Sequence, residues 1–261
     1  MEAGNADEGA RRDTVTTHQG DHMLGFGKKN KDQTDQAAPA AAPAPAPAPP
    51  AAPAAPAGPV TDLGVAKGRI SLEKRQTVSL TKTQTITATI SWPNSTDYDV
   101  YALVQYRDGH VETVAQFGTK EDRSSSPRTA DGAVVHLGDQ RRGKRGKTTM
   151  ADEVVTITLN PEIARIVPVV YSAQSNGTGS FRRYQVGMTI DNGAGDVVEI
   201  AARDADSNDT VYTCVPGVIT NGDHVQVEKT ELYSQPGSER RPVIGADGTV
   251  TMDSGAVNAY K

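Results

Sequence analysis

The chain has 261 residues, of which 36% are hydrophobic, and it carries a formal net charge of −5. This charge gives no general attraction to nucleic acid or anionic membrane, and a single cysteine excludes an intramolecular disulfide. The sequence has no apolar run of about 18 residues, so we predict no transmembrane helix. The acidic start lacks the apolar core of a signal peptide, and we therefore expect a soluble, cytoplasmic protein.

The beginning of the chain differs in composition from the rest. Residues 1–36 are polar and show no helical or strand period, which predicts a disordered tail. Residues 37–59 contain only alanine and proline apart from Gly58, which predicts a semi-rigid spacer of extended chain. Within the tail, residues 23–31 join a small apolar cluster to three lysines, which suits either a short segment that docks on a partner or a membrane surface, or a solvated, disordered tail. Met23 is a second candidate start of translation, and the predicted folded domain spans 60–261.

A period of two in the apolar residues begins near Gln76 and predicts antiparallel strands. The clearest strand covers 85–92, where threonine alternates with apolar residues. Two further strands are predicted at 98–106 and 111–117. They flank an Asp-Gly pair, which is a strong hairpin signal.

The middle of the chain alternates less regularly. We predict strands at 134–137 and 153–159, and one turn of helix at 160–164, where an Asn-Pro pair suits a helix start. The run 166–171 is almost continuously apolar, which predicts a central strand buried on both faces. Proline cannot donate a hydrogen bond to a sheet, so we expect an irregularity at Pro168.

The remainder of the chain contains further strands and turns. The predicted strands are 184–191, 196–202, 211–215 and 225–233, and the predicted turns are 192–195 and 247–248. Many short strands, frequent glycine and asparagine turns and the lack of a long helix predict an all-β fold. We expect a β-sandwich of mostly antiparallel strands with long acidic and basic loops.

Five carboxylates lie where loops meet the predicted strands, namely Asp97, Asp99, Asp139, Asp152 and Glu153. Loops at one end of a sandwich converge, and grouped carboxylates repel each other strongly without a cation. Ca²⁺ takes several oxygen ligands in flexible geometry, so the five residues are a candidate calcium site. The alternative is that the loops are rich in aspartate simply because turns favour it.

A basic run follows Asp139 on the same loop and comprises Arg141, Arg142, Lys144, Arg145 and Lys147. Its charges suit phosphates of nucleic acid, lipid or a modified partner. The run lacks an aromatic residue on which bases would stack. A solvated, flexible loop and a counter-charge for the neighbouring carboxylates are the alternatives.

Residues that suit catalysis are scarce. Cys214 lies in an apolar run and is predicted to be a core residue, and His136 is predicted to be structural or a partner behind the acidic site. The sequence has no Ser-His-Asp order, phosphate-binding loop or paired-histidine zinc spacing, and 204–209 lacks the glycine and glutamate of an EF-hand. We therefore predict a protein that is not an enzyme.

Residues 70–233 resemble the TerD domain of bacterial tellurium-resistance and stress proteins. The resemblance rests on short segments in a specific order: Ile70-Ser71-Leu72, Val78-Ser79-Leu80, Trp92, Asp97-Tyr98-Asp99-Val100-Tyr101-Ala102, Asp131-Gly132, His136, Gly138-Asp139, Asp152-Glu153, Ile166-Val167-Pro168-Val169-Val170 and Glu231-Leu232-Tyr233. It implies a β-sandwich that binds Ca²⁺ through acidic loops. It also implies a role in resistance to tellurite and other stresses, with no established enzymatic activity.

Two departures from the family pattern affect the implied calcium site. The family's first acidic motif reads Asp-x-Asp-x-Asp, and Tyr101 stands at its third position here. The family's second motif is Gly-Asp-Asn followed by an acid-rich stretch, whereas five basic residues follow Gly138-Asp139-Gln140. The resemblance therefore implies a divergent member whose affinity for Ca²⁺ is weakened or lost.

Two functions are compatible with the sequence. The first is a Ca²⁺-binding TerD-like module in bacterial tellurium resistance or stress response. The alternative is a structural or adaptor protein of a larger assembly, tethered by the Ala/Pro spacer, in which metal binding has been lost. We expect protein partners to bind through the N-terminal tail or the loops, and contact of 141–147 with a membrane surface or nucleic acid is a weaker alternative.

Overall fold

The computed structural model describes residues 59–141, 150–173, 180–202 and 208–259, without the side chains of 139–141. The predicted tail and nearly all of the predicted spacer lie outside these ranges, as does the EF-hand-like segment up to residue 207. Every regular element within them is a strand, so none of the described residues forms a helix long and apolar enough to cross a membrane.

The strands of the described residues are numbered in chain order: β1 (Thr61–Val65), β2 (Arg69–Leu72), β3 (Gln76–Leu80), β4 (Thr85–Pro93), β5 (Asp99–Tyr106), β6 (Val111–Val114), β7 (Val134–Arg141), β8 (Met150–Thr158), β9 (Ile163–Tyr171), β10 (Gly187–Asp191), β11 (Val197–Ala201), β12 (Thr213–Asn221), β13 (Val225–Tyr233), β14 (Val243–Ile244) and β15 (Val250–Thr251). A seven-stranded sheet has the order β1-β3-β13-β12-β9-β5-β6, and a six-stranded sheet has the order β2-β11-β10-β4-β8-β7. Strands β14 and β15 form a separate hairpin.

Pairing between these strands is antiparallel, except that β1 is parallel to β3 and β2 is parallel to β11. The two sheets pack face to face around one large hydrophobic core. The predicted all-β sandwich of mostly antiparallel strands is confirmed.

Alternation along each strand decides which side chains enter the core. In β4, Ile86, Ala88, Ile90 and Trp92 are buried, and the residues between them are only partly buried. Successive side chains of a strand point to opposite faces of its sheet, so the period of two in the sequence becomes one buried and one outer face. Each large aliphatic side chain buried in this way stabilises the fold by roughly 1.5–3 kcal/mol.

The outer face of the seven-stranded sheet is covered as well. Tyr101, Phe117 and Tyr171 belong to a second hydrophobic core, to which Ile244 of the C-terminal segment contributes. Residues 234–259 thus form a layer of their own against this sheet. The result is that β5 and much of β9 are buried on both faces.

One arginine fastens the C-terminal layer. The guanidinium of Arg241 lies 4.9 Å from the ring centroid of Tyr101 and donates a hydrogen bond of 3.0 Å to the carbonyl oxygen of Phe117. A second bond of 2.6 Å runs from its Nε to the side-chain oxygen of the fully buried Asn258. Arginine suits this position because its planar group stacks on aromatic rings while donating several hydrogen bonds.

Strand β9 confirms the prediction of a central strand buried on both faces at 166–171. Pro168 lies where the pairing of β9 with β12 shifts register, between Cys214 and Ile219 of β12. A proline has no N–H group to donate across this gap, so the irregularity expected at this residue is also confirmed.

The predicted helical turn at 160–164 is wrong. The side-chain oxygen of Asn160 accepts a hydrogen bond of 2.9 Å from the backbone N–H of Glu162, and β9 begins at Ile163. This local bond holds the chain in a tight turn, and asparagine favours such turns over helix. Sequence reasoning also missed β1 and β2, which precede the first predicted alternation.

Strands β7 and β8 are longer than predicted. Strand β7 continues through Gly138, whose φ of 75° allows a bulge in the pairing with β8, and ends at Arg141. Strand β8 begins at Met150, so Asp152 and Glu153 lie inside the strand. The sequence had instead suggested that they lie at its start. Glycine reaches positive φ without steric cost, which lets the strand continue past the bulge.

The two ends of the sandwich differ. One end carries short turns and is called the hairpin end; its turns are 107–110, 159–162, 192–196 and 222–224. The opposite end is called the acidic end; there strands β4, β7, β9 and β11 end, and strands β5, β8, β10 and β12 begin. The candidate carboxylates all belong to strands or loops at the acidic end.

Candidate functional site

The connection between β4 and β5 places Asp97 and Asp99 on either side of a buried tyrosine. Tyr98 is fully buried, and its ring packs edge-on against Trp92 with 5.7 Å between the centroids. Burial raises the pKa of Tyr98 above its usual value. Asp97 is partly exposed, whereas Asp99 opens β5 and is 7% exposed. The anchored tyrosine therefore fixes the position of both aspartates.

Tyr101 stands at the position where the sequence resemblance would lead one to expect a third aspartate. Alternation puts its side chain on the same face of β5 as that of Asp99, toward the C-terminal layer. The ring is fully buried, lies edge-on to Phe117 at 5.7 Å, and carries Arg241 above it. Tyr101 therefore has a role in packing, because it anchors the C-terminal layer.

Glu153 lies between the two sheets and is fully buried. Its Oε2 accepts a hydrogen bond of 2.7 Å from the backbone N–H of Val100, and this bond joins β8 of one sheet to β5 of the other. The Nε2 atom of His136, equally buried, lies 3.2 Å from the same oxygen. Glu153 therefore has a structural role in addition to any role toward a cation.

His136 is fixed from its other side by the bulge in β7. The backbone N–H of Gly138 donates a hydrogen bond of 2.9 Å to Nδ1 of His136. Because Nδ1 accepts, the ring proton of the neutral histidine lies on Nε2 and points to Glu153. Of the two alternatives for His136, that of a structural histidine agrees with this geometry, because both ring nitrogens have hydrogen-bond partners.

Strand alternation separates three of the five carboxylates. Asp152 and Glu153 are neighbours in β8, so they point to opposite faces of the six-stranded sheet. Glu153 shares the inner face with its cross-strand partner Ile90, which leaves Asp152 on the outer face. Asp99 points to the outer face of the other sheet, with Tyr101. Contrary to the convergence expected from the sequence, these three side chains face different layers.

The remaining candidate ligand, Asp139, is placed only by its backbone. It pairs with Glu153 in the register of β7 and β8, and Arg141 pairs with Asp152. Among side chains that the structure describes, no group of three or more histidine, cysteine, aspartate or glutamate residues is arranged to hold a metal ion. Since the side chain of Asp139 is outside that set, the calcium site stays a prediction.

The anion-binding prediction also stays a prediction. Its remaining members, Arg142, Lys144, Arg145 and Lys147, lie outside the described residues. The prediction for Cys214 can be judged: the thiol is fully buried in the main core, and burial raises its pKa well above the usual value. A thiol in this state is a poor nucleophile, as expected of a core residue.

Sequence reasoning missed a second group of buried charges, on β13. Lys229 Nζ lies 3.3 Å from Glu231 Oε2, and both side chains are almost completely inaccessible to solvent. The hydroxyl of Tyr233 donates a hydrogen bond of 2.8 Å to Glu231 Oε1. The signal was present in the alternation, which places both charges on the same face as the buried Val225 and Val227.

Comparisons with known proteins find solved structures similar to this chain, and two of them are described below. No family model and no curated protein matches the chain. A protein of unknown function, SAV2460, aligns over 57% of this chain and 88% of its own at 19% identity, with a TM-score of 0.41. A homologue of the telluride resistance protein TerD from Streptomyces coelicolor A3(2) aligns over 58% of this chain and 90% of its own at 17% identity, with a TM-score of 0.36. At these values neither likeness transfers any property of those proteins to this chain.

Proposed function

We propose that the protein is a non-enzymatic, TerD-like module of a bacterial tellurium-resistance or stress system, and that its acidic end binds Ca²⁺ weakly. The family assignment is supported by the ordered sequence segments between residues 70 and 233. The assignment of the cation to the acidic end is supported by the geometry around Asp97, Asp99 and Asp139.

One observation carries the choice of these three residues. Hydrogen bonds run from the N–H of Val100 to Glu153, and from the N–H of Gly138 to His136, whose ring faces Glu153. Val100 follows Asp99 in the chain and Gly138 precedes Asp139. The two backbone segments that carry candidate ligands are therefore tied to the same buried carboxylate. In this proposal Glu153 supports the site from behind.

Asp152 has no place in the reduced set, because it faces the outer side of the six-stranded sheet, whereas Asp99 faces the opposite side of the sandwich. Three carboxylates, completed by water and backbone carbonyls, give a site of low charge. The basic residues 141–147 oppose a divalent cation further. We therefore expect a dissociation constant of about 10⁻⁴–10⁻³ M, the range of weak extracellular modules.

Calorimetric titration of the full chain with Ca²⁺ tests the proposal. Wild type should bind in the stated range, and Asp99→Asn should weaken binding about tenfold or more, since it removes a charged ligand. Asp223→Asn is the matched control, because Asp223 is exposed in a turn at the hairpin end and should leave binding unchanged. Asp152→Asn should also leave binding unchanged, which separates the reduced set from all five acids.

Two results would contradict the proposal. The first is the absence of both heat and a shift in melting temperature at millimolar Ca²⁺. The second is an equal loss of affinity in Asp99→Asn and Asp223→Asn, which would indicate a general effect of charge.

A second candidate function is favoured by the exposed apolar residues of the first strand. All five residues of β1 are exposed, and Leu63 and Val65 are 43% and 51% accessible. Val60, just before the strand, is 49% accessible. An exposed apolar edge strand suits contact with another protein, as expected of an adaptor in a larger assembly.

Co-purification from the source cells distinguishes the adaptor from a stand-alone cation-binding module. The adaptor function predicts that Leu63→Ser and deletion of residues 1–59 each reduce recovery of a partner that the full chain retains. Undiminished recovery with both changes would contradict the adaptor function.

A further inference from the structure

We infer that His136 is a positioning residue that holds the bulge before Asp139 in place relative to the strand that begins at Asp99. The inference rests on the proposed function, since it explains how two segments from different sheets keep a shared geometry at the acidic end. It assigns to His136 no contact with the cation.

The two segments have no backbone hydrogen-bond ladder in common. Asp99 opens a strand of the seven-stranded sheet, and Asp139 lies on β7 at the edge of the six-stranded sheet. Ladder bonds fix strands within a sheet but leave the relation of two facing sheets to side-chain packing. A polar link across the sandwich at this point therefore adds a directional constraint that apolar contacts lack.

The link begins at Val100. Its N–H points to the side of β5 on which β6 lies, at a position beyond the end of β6. The N–H of Tyr106 donates to the carbonyl of His110 on the β6 side, and alternation turns the N–H groups two, four and six residues earlier to the same side. The last β5–β6 pair is Ala102 with Val114. Glu153 Oε2 thus accepts at Val100 the bond that a continued β6 would have taken.

The link ends at Gly138. Its φ of 75° creates the bulge between His136 and Asp139 in the pairing with β8, and its N–H is directed to Nδ1 of His136. One ring therefore bridges the bulge and the buried carboxylate through its two nitrogen atoms. No other neutral side chain offers an acceptor and a donor at this separation on a rigid ring.

Two substitutions of His136 separate its contact with Glu153 from its hydrogen bond with Gly138. In His136→Asn the side-chain oxygen retains an acceptor near the position of Nδ1, but the reach to Glu153 is lost. In His136→Gln the amide retains a donor near the position of Nε2, but the acceptor for Gly138 is lost. The hydrogen-exchange rates of the Val100 and Gly138 amides measure the hydrogen bonds to Glu153 and to His136 separately, with or without Ca²⁺.

Thr129→Val is the matched control, because it disturbs the same strand at its opposite end. Thr129 is 1% exposed, its hydroxyl donates a bond of 2.6 Å to Asp131, and it accepts one of 3.0 Å from the N–H of Val134. The variant should therefore destabilise the start of β7 without reaching the bulge.

The expected result is a crossed pattern. His136→Asn should speed exchange at Val100 more than at Gly138, and His136→Gln should do the reverse. Both should weaken Ca²⁺ binding by about 10- to 100-fold, as losses of supporting partners around metal sites commonly do. Thr129→Val should lower the melting temperature while leaving the affinity for Ca²⁺ unchanged.

Each departure from this result has a separate meaning. Uniform acceleration of both amides in both variants would overturn the inference, as would an affinity for Ca²⁺ no weaker than in Thr129→Val. If wild type shows no binding, the proposed function fails, whereas a crossed exchange pattern would still support the link between the two segments and a uniform one would overturn it.

Discussion

At the hairpin end of the sandwich, aspartate and asparagine side chains accept hydrogen bonds from their own turns, whereas at the acidic end carboxylates are buried in strands. Asp108 accepts a bond of 3.0 Å from the N–H of His110, and Asn192 accepts one of 2.9 Å from that of Ala194. Asp99 and Glu153 are 7% and 0% exposed. Turn geometry explains the first pair of residues completely, but it does not explain the second.

The burial of an acidic residue therefore says more about its role than its residue type does. An exposed aspartate in a turn satisfies a backbone donor and remains hydrated. A buried carboxylate loses its hydration and persists only where hydrogen bonds or opposite charge replace it. Glu153 with His136, and Glu231 with Lys229, meet this requirement in two separate places at the acidic end.

The largest effect is expected from breaking the buried ion pair on β13. Lys229→Met leaves Glu231 buried without its cation, which should cost about 3–5 kcal/mol in the free energy of unfolding, measured with urea. Arg69→Met is the matched control, because Arg69 pairs with Glu199 at 62% and 39% exposure. An exposed pair of this kind contributes about 0–1 kcal/mol.

The double variant Lys229→Met with Glu231→Leu sharpens this test. Replacing both charges by apolar groups should recover much of the stability, since the cost arises from the unpaired charge. Equal, small losses in Lys229→Met and Arg69→Met would show that burial does not distinguish the two pairs.

An intermediate effect is expected from two glycines of similar backbone geometry. Gly138 at the acidic end and Gly132 before β7 have φ values of 75° and 71°. A Cβ atom at Gly132 meets nothing, and one at Gly138 meets only the far end of the exposed Gln116 side chain. Alanine at either position should therefore cost about 1–2 kcal/mol from the left-handed backbone alone.

The two glycine variants should differ in cation binding and not in stability. Gly138→Ala alters the bulge that precedes Asp139, so it should weaken the affinity for Ca²⁺ in calorimetry, whereas Gly132→Ala should leave it unchanged. If Gly138→Ala and Gly132→Ala lose the same stability and bind Ca²⁺ with equal affinity, the bulge has no role in the proposed site.

The smallest effect is expected from the pH dependence of the hairpin end. The backbone N–H of His110, with its side chain, holds the pKa of Asp108 below the usual value. The charged form therefore stabilises the fold above the usual pKa, and this contribution is lost as the pH falls from about 5 to about 2. Thermal melts of Asp108→Asn should approach those of wild type over this interval. If the melting temperatures of wild type and Asp108→Asn diverge as the pH falls, the result would contradict this prediction.

Much of the fold could be predicted because it depends on local pattern. The alternation in 85–92, the Asp-Gly turn and the continuous apolar run at 166–171 each describe the environment of their own strand. The prediction of a helical turn at 160–164 was wrong because the side chain of Asn160 bonds to its own turn, and helix propensity does not account for that competition. The role of Tyr101 could not be predicted, since the layer that covers it lies some 140 residues later in the chain.

Strand length and turn position follow from local alternation, and this alternation is enough to bring the five candidate carboxylates to one end of a β-sandwich. The faces on which Asp99, Asp152 and Glu153 lie depend instead on how the strands pair and how the sheets are covered. Asp152 and Glu153 are adjacent in the chain, but a shift of one residue in the pairing register of β8 would exchange their faces. That register is set by pairing with β4 and by the bulge at Gly138, and it places Glu153 between the sheets against Val100 and His136.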